Sequence, residues 1–403
     1  MPMLNGSAFI AIAALAAMAV VTVAAATHAA SGTPAADGQR FYVAGRAKGD
    51  AAGIYRGRID LDTGRVTIEG RAAEAEQPSF LALHPDGRTL YLANAMRAFR
   101  GEPGGALGAY RIDPATGDLG RLNREPSRGT STCHLTVDAT GRHLLAVNYG
   151  TGSVIVRALG DDGRVGEVTA FIQHEGRSVN PRRQKGPHAH SVNLDAANRF
   201  AFVADLGLDK VMVYRFDASS GTLAPHDPPH VTAKRGSGPR HFAFHPSGRF
   251  AYVLNEMGSS VTAMAYGAAA GRLTPLHTVT MLPEGFDGKN TGAEVTVHPS
   301  GRFVYASNRG HDSIAIFRVD EQTGRLTPAG HAATRGKRPR HFAIDPSGRF
   351  LLAANRDSNT IVAFRIDAET GALEPTGSTA EAPGAICILM MPMKGNAPAK
   401  AGG

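Results

Sequence analysis

The chain contains no tryptophan, only two cysteines and few lysines. Among its 403 residues, 6% are aromatic and eight are lysine, so most of the 43 cationic residues are arginine. Two cysteines are too few for a disulfide scaffold or a cysteine-based zinc site. The arginines recur singly at turns and do not form a basic stripe with interleaved aromatics. The net charge of +8 therefore indicates dispersed, solvated charge, and we expect no nucleic-acid partner.

Glycine and apolar residues are the abundant classes. The 48 glycines and 24 prolines indicate many turns. Apolar residues make up 42% of the chain, which is enough to build a core and excludes wholesale disorder. No helical periodicity of any length follows the N-terminal segment. The composition therefore favours an all-β protein with many short strands.

The N-terminal segment predicts export. Residues 8–26 are uncharged and apolar, and Ala24, Ala25 and Ala26 fit an A-x-A cleavage site. We assign residues 1–30 to a signal peptide and expect a periplasmic or secreted protein with no stable membrane insertion after cleavage. However, no Lys or Arg precedes Arg40, so the basic start of a signal peptide is missing. The alternative is an uncleaved membrane anchor, since about 18 to 20 apolar residues can span a bilayer.

A short motif recurs about every fifty residues. HPSGRF starts at His245 and again at His298, and DPSGRF starts at Asp345. Looser copies begin at His84, Asp138 and Asp195. Because His and Asp alternate at the first position, we interpret these residues as turn-packing residues. A second marker, a glycine followed closely by an apolar residue, occurs at Gly64, Gly117, Gly163, Gly221, Gly271, Gly324 and Gly371.

Each full repeat is predicted to form four strands. An apolar run precedes the Ser-Gly-Arg turn, two alternating strands follow, and a glycine turn leads to the last strand. Four strands in a repeat of this length are typical of a propeller blade. The seven glycine markers predict an all-β, seven-bladed β-propeller over residues 39–391, followed by a flexible C-terminal tail at 392–403.

The two ends of the predicted propeller complete one blade. FYVAGR, at residues 41–46, matches the second strand of a blade and has no first strand before it. The missing strand is ICILM, at residues 386–390. We therefore expect the closing blade to combine one C-terminal strand with three N-terminal strands, which removes exposed sheet edges between the ends of the chain.

Alignment of the repeats places polar side chains around one mouth of the central channel. The first strands line the channel, and the loops after the second strands open on the same face. A loop that carries the basic residues 177–185, Arg183 among them, is expected at the rim. Arginines bind carboxylate or phosphate groups bidentately, and a glutamate or histidine can act as a general base. The residues that meet at this mouth are His134, His188, His190, Arg240, His241, Glu256, Glu294, Arg309, His311, Arg340, His341 and Arg356.

Other chemistries have weaker support. His188 and His190 form the one H-x-H pair, and the arginines nearby oppose a bound cation, so we expect no metal and no cofactor. Cys133 stands beside His134 and could be a nucleophile, although this reading is the weaker one. No G-x-S-x-G sequence marks a serine nucleophile. The two cysteines lie on the first strands of blades that are not adjacent, so we do not expect a disulfide.

Four stretches resemble the seven-bladed propeller lactonase family. This family includes the propeller-type 6-phosphogluconolactonase and the fungal carboxy-cis,cis-muconate lactonising enzyme. The resemblance covers about residues 41–390 and implies lactone chemistry. The stretches are RQKGPHAHSV from Arg183, GPRHFAFHPSGRFAYVLNE from Gly238, LPEGFDGKNTGAEVTVHPSGRFVYASNRGHDSI from Leu282 and RPRHFAIDPSGRFLLAAN from Arg338.

The resemblance also implies roles for individual residues. The proposed site of the muconate enzyme groups a histidine, two arginines and a glutamate. By motif, the histidine is His188 or His190, the arginines are Arg240 and Arg309, and the glutamate is Glu256. We accordingly expect catalysis by His190, Arg240, Glu256 and Arg309. We expect substrate binding by His134, Arg183, His188, His241, Glu294, His311, Arg340 and His341.

The leading hypothesis is a lactonase that hydrolyses the ester ring of a sugar lactone, most like 6-phosphogluconolactone. Export conflicts with a phosphorylated cytosolic intermediate, so an unphosphorylated aldonolactone is an alternative substrate. Two other hypotheses are a carboxymuconate-type cycloisomerase and a non-catalytic propeller that binds a ligand or a protein. The expected partner is a small anionic or sugar-lactone molecule, and we expect a monomer.

Overall fold

Short apolar runs separated by turns form thirty β-strands within residues 38–393, which are the residues that this computed structural model describes. Two 3-10 turns, Gly49–Ala51 and Arg356–Ser358, are the helical elements of that range. The predicted signal peptide at 1–30 and most of the predicted tail at 392–403 lie outside it. Within residues 38–393, no helix is long and apolar enough to cross a membrane.

The strands form seven four-stranded antiparallel sheets. Blades 1 to 6 follow one another along the chain, and blade 7 combines both ends. Each blade is numbered here from its innermost strand outward. Blade 1 is Pro78–Leu83, Thr89–Asn94, Ala106–Ile112 and Leu119–Pro126; blade 2 is Thr132–Val137, His143–Asn148, Ser153–Leu159 and Val165–Gln173; blade 3 is Ala189–Leu194, Phe200–Asp205, Lys210–Asp217 and Thr222–Thr232.

The remaining blades follow the same order. Blade 1 also carries a small hairpin, Ala98–Phe99 with Glu102–Pro103, between its second and third strands. Blade 4 is Pro239–Phe244, Phe250–Asn255, Ser260–Gly267 and Arg272–Thr280; blade 5 is Thr291–Val297, Phe303–Arg309, Ser313–Val319 and Leu326–Ala333; blade 6 is Pro339–Ile344, Phe350–Asn355, Thr360–Ile366 and Leu373–Glu381; blade 7 is Ala385–Met390, Gln39–Gly45, Gly53–Ile59 and Val66–Glu74.

Blade 7 closes the ring as the sequence predicts. The C-terminal strand pairs antiparallel with the N-terminal one, with Phe41 opposite Met390 and Val43 opposite Ile388. The first strand of every blade contacts the first strands of both neighbouring blades, including blade 7 with blades 1 and 6. The propeller is therefore closed through hydrogen bonds between the two ends of the chain.

The glycine markers are where neighbouring blades meet. Tyr252 of blade 4 donates a hydrogen bond to the carbonyl of Gly324, in the last turn of blade 5, and Phe250 packs on the same glycine. A Cβ built on Gly324 would lie 2.3 Å from the Phe250 ring, and φ there is +71°. The tyrosines Tyr42, Tyr91 and Tyr305 make the equivalent bond to Gly117, Gly163 and Gly371. Because a side chain at the marker position would collide with the neighbouring blade, glycine is required there.

The recurrent His and Asp residues are turn residues, as interpreted from the sequence. The His245 side chain contacts Ser247 in its own turn and the carbonyl of Gly301 in the next blade. Asp195 instead accepts backbone N–H groups from Arg199 and Phe200. His245 also accepts the backbone N–H of Ser247. Because both side chains accept backbone N–H groups of their own turn, histidine and aspartate are interchangeable there.

Candidate active site

One mouth of the central channel holds a cavity of about 370 Å³. It receives side chains from the first strands, from the ends of second strands and from rim loops. Five of its lining residues are arginines and one is a carboxylate. The lining residues are Arg46, Ser79, Ala95, Ser131, Cys133, Tyr149, Arg183, His190, Glu256, Thr291, Arg309, Arg338 and Arg340.

β-Bulges place four of the lining residues, and a fifth bulge carries Arg240, which is not one of them. In blades 1, 2, 3, 4 and 6, the second residue of the first strand has no partner in the pairing register, while the residues on either side of it do. A bulge re-aims a side chain and lets two consecutive residues face the same side. The skipped residues are Ser79, Cys133, His190, Arg240 and Arg340.

Glu256 is the anionic centre of the site. Its Oε1 accepts a hydrogen bond from Arg183 at 2.8 Å, and its Oε2 lies 3.0 Å from nitrogens of both Arg240 and Arg309. Burial alone would raise the pKa of Glu256, but the guanidinium groups of Arg309, Arg240 and Arg183 lower that pKa to about 2. Glu256 is therefore an ionised anchor for three arginines and is a poor acceptor for a proton from water.

Arg240 lies behind the cavity wall. Its side chain is 2% exposed, its Nε donates to Glu256, and its Nη1 donates to the carbonyl of Ala293. It therefore does not belong to the lining, although the sequence analysis assigned it a catalytic role. In this position it can hold Glu256 in place and add positive potential to the cavity.

Arg340 lines the cavity and has no hydrogen-bond or ion-pair partner among the described residues. Burial, together with the nearby charges of Arg240 and Arg309, holds the pKa of Arg340 well below its usual value. Burial also lowers the pKa of Arg309, to about 10. A crowded guanidinium without a protein acceptor is suited to an oxyanion from a ligand.

His190 is the imidazole of the cavity wall. Its side chain is buried, and its Nδ1 lies 3.9 Å from the Cys133 sulfur. Burial, followed by the charge of Arg240, lowers the pKa of His190 well below 6.5, so the ring is neutral near pH 7. Burial raises the pKa of Cys133 to about 12, so this thiol is not an activated nucleophile. His190 is therefore the lining residue best able to accept a proton.

His188 stands next to the cavity. Its ring stacks on Tyr149 at 4.5 Å, and its Nδ1–H donates to the Tyr149 carbonyl. Its backbone N–H donates to buried Asp205, which also contacts the His174 imidazole at 2.6 Å. These bonds fix the loop that leads into the first strand of blade 3, and so they set the position of His190.

Four predicted binding residues lie one step deeper in the channel. His134 and His341 follow the lining residues Cys133 and Arg340, and none of the four belongs to the cavity lining. The side chain of Phe80 packs among the imidazoles, with ring centroids 4.1 to 5.9 Å apart. These residues form a buried layer beneath the cavity: His134, His241, Glu294 and His341.

His311 is not part of the site. Its Nδ1 contacts the Ser313 hydroxyl at 2.7 Å, and its ring packs edge-on against Phe286. The prediction placed it at the mouth because it follows Arg309 closely, but its side chain is held within its own blade. Arg356 likewise lies outside the lining, where its Nε donates to Asp357.

Sequence reasoning did not single out two arginines of the lining as binding residues. Arg46 follows the strand Gln39–Gly45 of blade 7 and donates to Gln77. Arg338 precedes the first strand of blade 6, adopts a φ of +55° and pairs with Asp357 at 3.3 Å. The RPRH stretch contains Arg338 two residues before Arg340, and this spacing is the available signal. Within residues 38–393, no group of three or more His, Cys, Asp or Glu residues is arranged to hold a metal ion.

The fold and the site define the class of protein: a seven-bladed β-propeller with a small, arginine-lined cavity at one channel mouth. Residues 40–390 match the family described as "Lactonase, 7-bladed beta-propeller". The chain belongs to this family.

Three relatives illustrate the similarity. The chain is 33% identical to a 6-phosphogluconolactonase of Bacillus subtilis over 75% of its own length and 84% of that protein. It is also 33% identical to a 6-phosphogluconolactonase of Formosa agariphila, over 74% and 84%. The solved structure of a periplasmic gluconolactonase from Pseudomonas aeruginosa superposes with a TM-score of 0.82, at 32% identity and with 88% and 99% of the two chains covered.

Proposed function

We propose that the cavity is the active site of a lactonase that hydrolyses the ester ring of a sugar lactone bearing an anionic group. The observation that carries this proposal is the charge of the lining, in which five arginines face a single carboxylate. That carboxylate is already shared by Arg183, Arg240 and Arg309. The remaining positive charge is satisfied by an anion on the substrate. The relatives named for sugar lactones agree with this substrate class.

His190 is the proposed general base. It removes a proton from a water molecule, and the resulting hydroxide adds to the lactone carbonyl carbon. The tetrahedral intermediate then collapses with cleavage of the ring C–O bond, and the proton held by His190 passes to the departing alkoxide. The products are a carboxylic acid and a free hydroxyl group. Bound substrate strengthens the base, because its negative charge offsets the arginines that lower the pKa of His190.

The arginines divide between two tasks. Arg340, which has no protein partner among the described residues, holds the anionic group of the substrate. Arg309 lines the cavity beside Glu256 and stabilises the developing oxyanion. The hydroxyls of Ser79, Ser131 and Thr291 are available to the sugar hydroxyls. Glu256 keeps the arginine cluster in place and takes no proton, since its pKa is about 2.

The test is a lactone panel with the purified protein, followed by acid release in a pH-stat. We expect turnover of 6-phosphogluconolactone with a kcat/KM above that of gluconolactone. Arg340→Ala raises KM for the phosphorylated lactone about 10- to 100-fold, which is the loss of one charge-assisted contact. Arg325→Ala, at an exposed turn, is the matched control and leaves KM unchanged.

Three results would overturn the proposal. Equal kcat/KM values for the phosphorylated and neutral lactones would show that the site does not recognise an anionic group on the substrate. Turnover of carboxymuconate without lactone hydrolysis would assign the site to a cycloisomerase, whose carboxylated substrate suits the same arginines. Ligand binding without any turnover would make the propeller a binding protein.

We propose in addition that the protein is exported, so that its own substrate is an anionic sugar lactone present outside the cytosol, and 6-phosphogluconolactone serves as the probe of the anionic group. The support is the uncharged apolar run of residues 8–26 and the periplasmic gluconolactonase among the similar structures. Fractionation of cells that express the full chain or a chain lacking residues 2–30 tests this. Recovery of both proteins in the cytosol would contradict export.

A further inference from the structure

The buried layer beneath the cavity contains a carboxylate that the proposed mechanism does not use. Glu294 is 7% exposed and lies on the first strand of blade 5. Its Oε2 is 2.8 Å from Nδ1 of His241 and 3.3 Å from Nε2 of His341. These two histidines belong to the first strands of blades 4 and 6. One carboxylate oxygen therefore bridges three consecutive blades.

The hydrogen bonds of this layer are oriented. His341 Nδ1 accepts the backbone N–H of Ile388, so its Nε2 carries the proton and donates to Glu294. Oε1 of Glu294 accepts the backbone N–H of Val295, and the Glu294 N–H donates to Ser307. Both carboxylate oxygens are thus occupied and the side chain is held at several points.

Each residue of the bridge follows a residue that lines the cavity or lies directly behind its wall. His341 follows Arg340, the guanidinium without a protein partner. His241 follows Arg240, which holds Glu256. Glu294 follows Ala293, whose carbonyl accepts the Nη1 of Arg240. Arg240 and Arg340 are bulge residues. At a bulge the hydrogen-bond ladder between the strands is interrupted, so the ladder does not fix the direction of the side chain.

We infer that Glu294 is a positioning residue: by bridging His241 and His341 it fixes the two bulges that direct Arg240 to Glu256 and Arg340 into the cavity. The inference rests on the proposed function, because that function gives Arg340 the role of holding the anionic group of the substrate. Glu294 does not contact the substrate. It acts through the imidazoles of His241 and His341. If these imidazoles lost their contact with Glu294, Arg340 and the Arg240–Glu256 pair could move.

The experiment compares Glu294→Ala and Glu294→Gln with the wild type. The alanine removes the bridge, and we expect kcat/KM for 6-phosphogluconolactone to fall about 10- to 100-fold, mostly through KM, as a displacement of about 1 Å can produce. The glutamine keeps one oxygen that accepts both imidazole N–H groups and gives up only the acceptor for the Val295 N–H, so we expect it to retain activity within about threefold of the wild type. Asp195→Asn, at a buried turn carboxylate in blade 3, is the control: it lowers stability and leaves KM unchanged.

The outcomes separate this inference from its alternatives. If Glu294→Ala folds and its KM equals that of the wild type, the bridge has a purely structural role and the inference is overturned. Equal losses in Glu294→Ala and Glu294→Gln would replace positioning with proton transfer and also overturn it.

Binding of 6-phosphogluconate, measured by calorimetry, distinguishes failure of the inference from failure of the proposed function. If the wild type binds this probe without hydrolysing a lactone, the proposed function fails. A tenfold weaker dissociation constant in Glu294→Ala then still supports positioning, and an unchanged one refutes it. If the wild type neither binds nor hydrolyses, both proposals fail.

Discussion

Replacing Glu256 by glutamine is the perturbation with the clearest expected size. The carboxylate is buried and contacts Arg183, Arg240 and Arg309 at 2.8 to 3.0 Å. Its pKa falls from 4.5 to about 2. A depressed pKa of this size corresponds to about 3 kcal/mol of stability near neutral pH. Removing one partner from a buried ion pair costs a similar amount, about 3 to 5 kcal/mol. We therefore expect Glu256→Gln to lower the free energy of unfolding by about 3 kcal/mol.

The sign of the pH dependence gives an internal check. Because the pKa of Glu256 is lower in the folded state, its stabilisation is complete above pH 4.5 and is lost as the pH falls towards 2. The difference between wild type and Glu256→Gln should accordingly be constant from pH 5 to 7 and shrink below pH 4.5. Urea unfolding at several pH values measures it, provided that the m-values agree.

The matched control is Glu369→Gln. Glu369 is 83% exposed and lies 3.4 Å from Arg302, so the change should alter the free energy of unfolding by less than about 1 kcal/mol. If Glu256→Gln is also within about 1 kcal/mol of the wild type, Glu256 is not the electrostatic anchor of the arginines. The positive charge of the cavity would then not be balanced by this carboxylate.

Three further predictions concern the base, the thiols and the blade contacts. Since the pKa of His190 lies well below 6.5 and its neutral form is the base, kcat/KM should show no inflection from this residue between pH 6.5 and 7.5; a pH-stat profile with an inflection near 7 would contradict the assignment. Both cysteines are buried with raised thiol pKa values, so a disulfide reagent should label neither in the native protein and both in urea; rapid native labelling would contradict their burial. Gly324→Ala should destabilise the fold more than Gly248→Ala does, by about 1 kcal/mol or more. Both have positive φ, but only the first would bring a Cβ against Phe250, so equal losses in urea unfolding would show that the contact is unimportant.

Much of the architecture follows from repetition in the sequence. The HPSGRF copies and the glycine markers predict seven blades, and each marker glycine does lie at a contact between blades, as Gly324 shows. The closing blade is predicted because the N-terminal part supplies three strands without a first strand and the C-terminal part supplies one further strand. In the structure, Phe41 of the N-terminal strand pairs opposite Met390 of the C-terminal strand. These features are predictable because each blade must satisfy the same local turn and inter-blade contacts, and the same residues therefore recur.

The site could be predicted only in outline. Alignment of the strands brings His190, Glu256, Arg309 and Arg340 to one mouth, and the structure places all four in the cavity lining. Depth within the channel was not predictable, because bulges decide which of two consecutive residues faces the cavity. Arg240 is a bulge residue, yet its bonds to Glu256 and to the Ala293 carbonyl hold it behind the wall. His241 lies beneath the cavity, although the repeat alignment treats both as residues of the mouth.

Rim residues were harder still to predict. Arg338 lies in an irregular turn before a strand, where the repeat pattern imposes no direction on the side chain. His311 was expected at the mouth from its position after a second strand, but its hydrogen bond to Ser313 keeps it within blade 5. Such contacts depend on the path of individual loops, which differ from blade to blade.

The most direct test of the central claim is acid release from 6-phosphogluconolactone by the wild type and by Arg340→Ala in parallel. The account predicts turnover by the wild type and a KM about 10- to 100-fold higher in the variant. Turnover with the same KM in both proteins would show that the arginine-lined cavity does not hold the substrate.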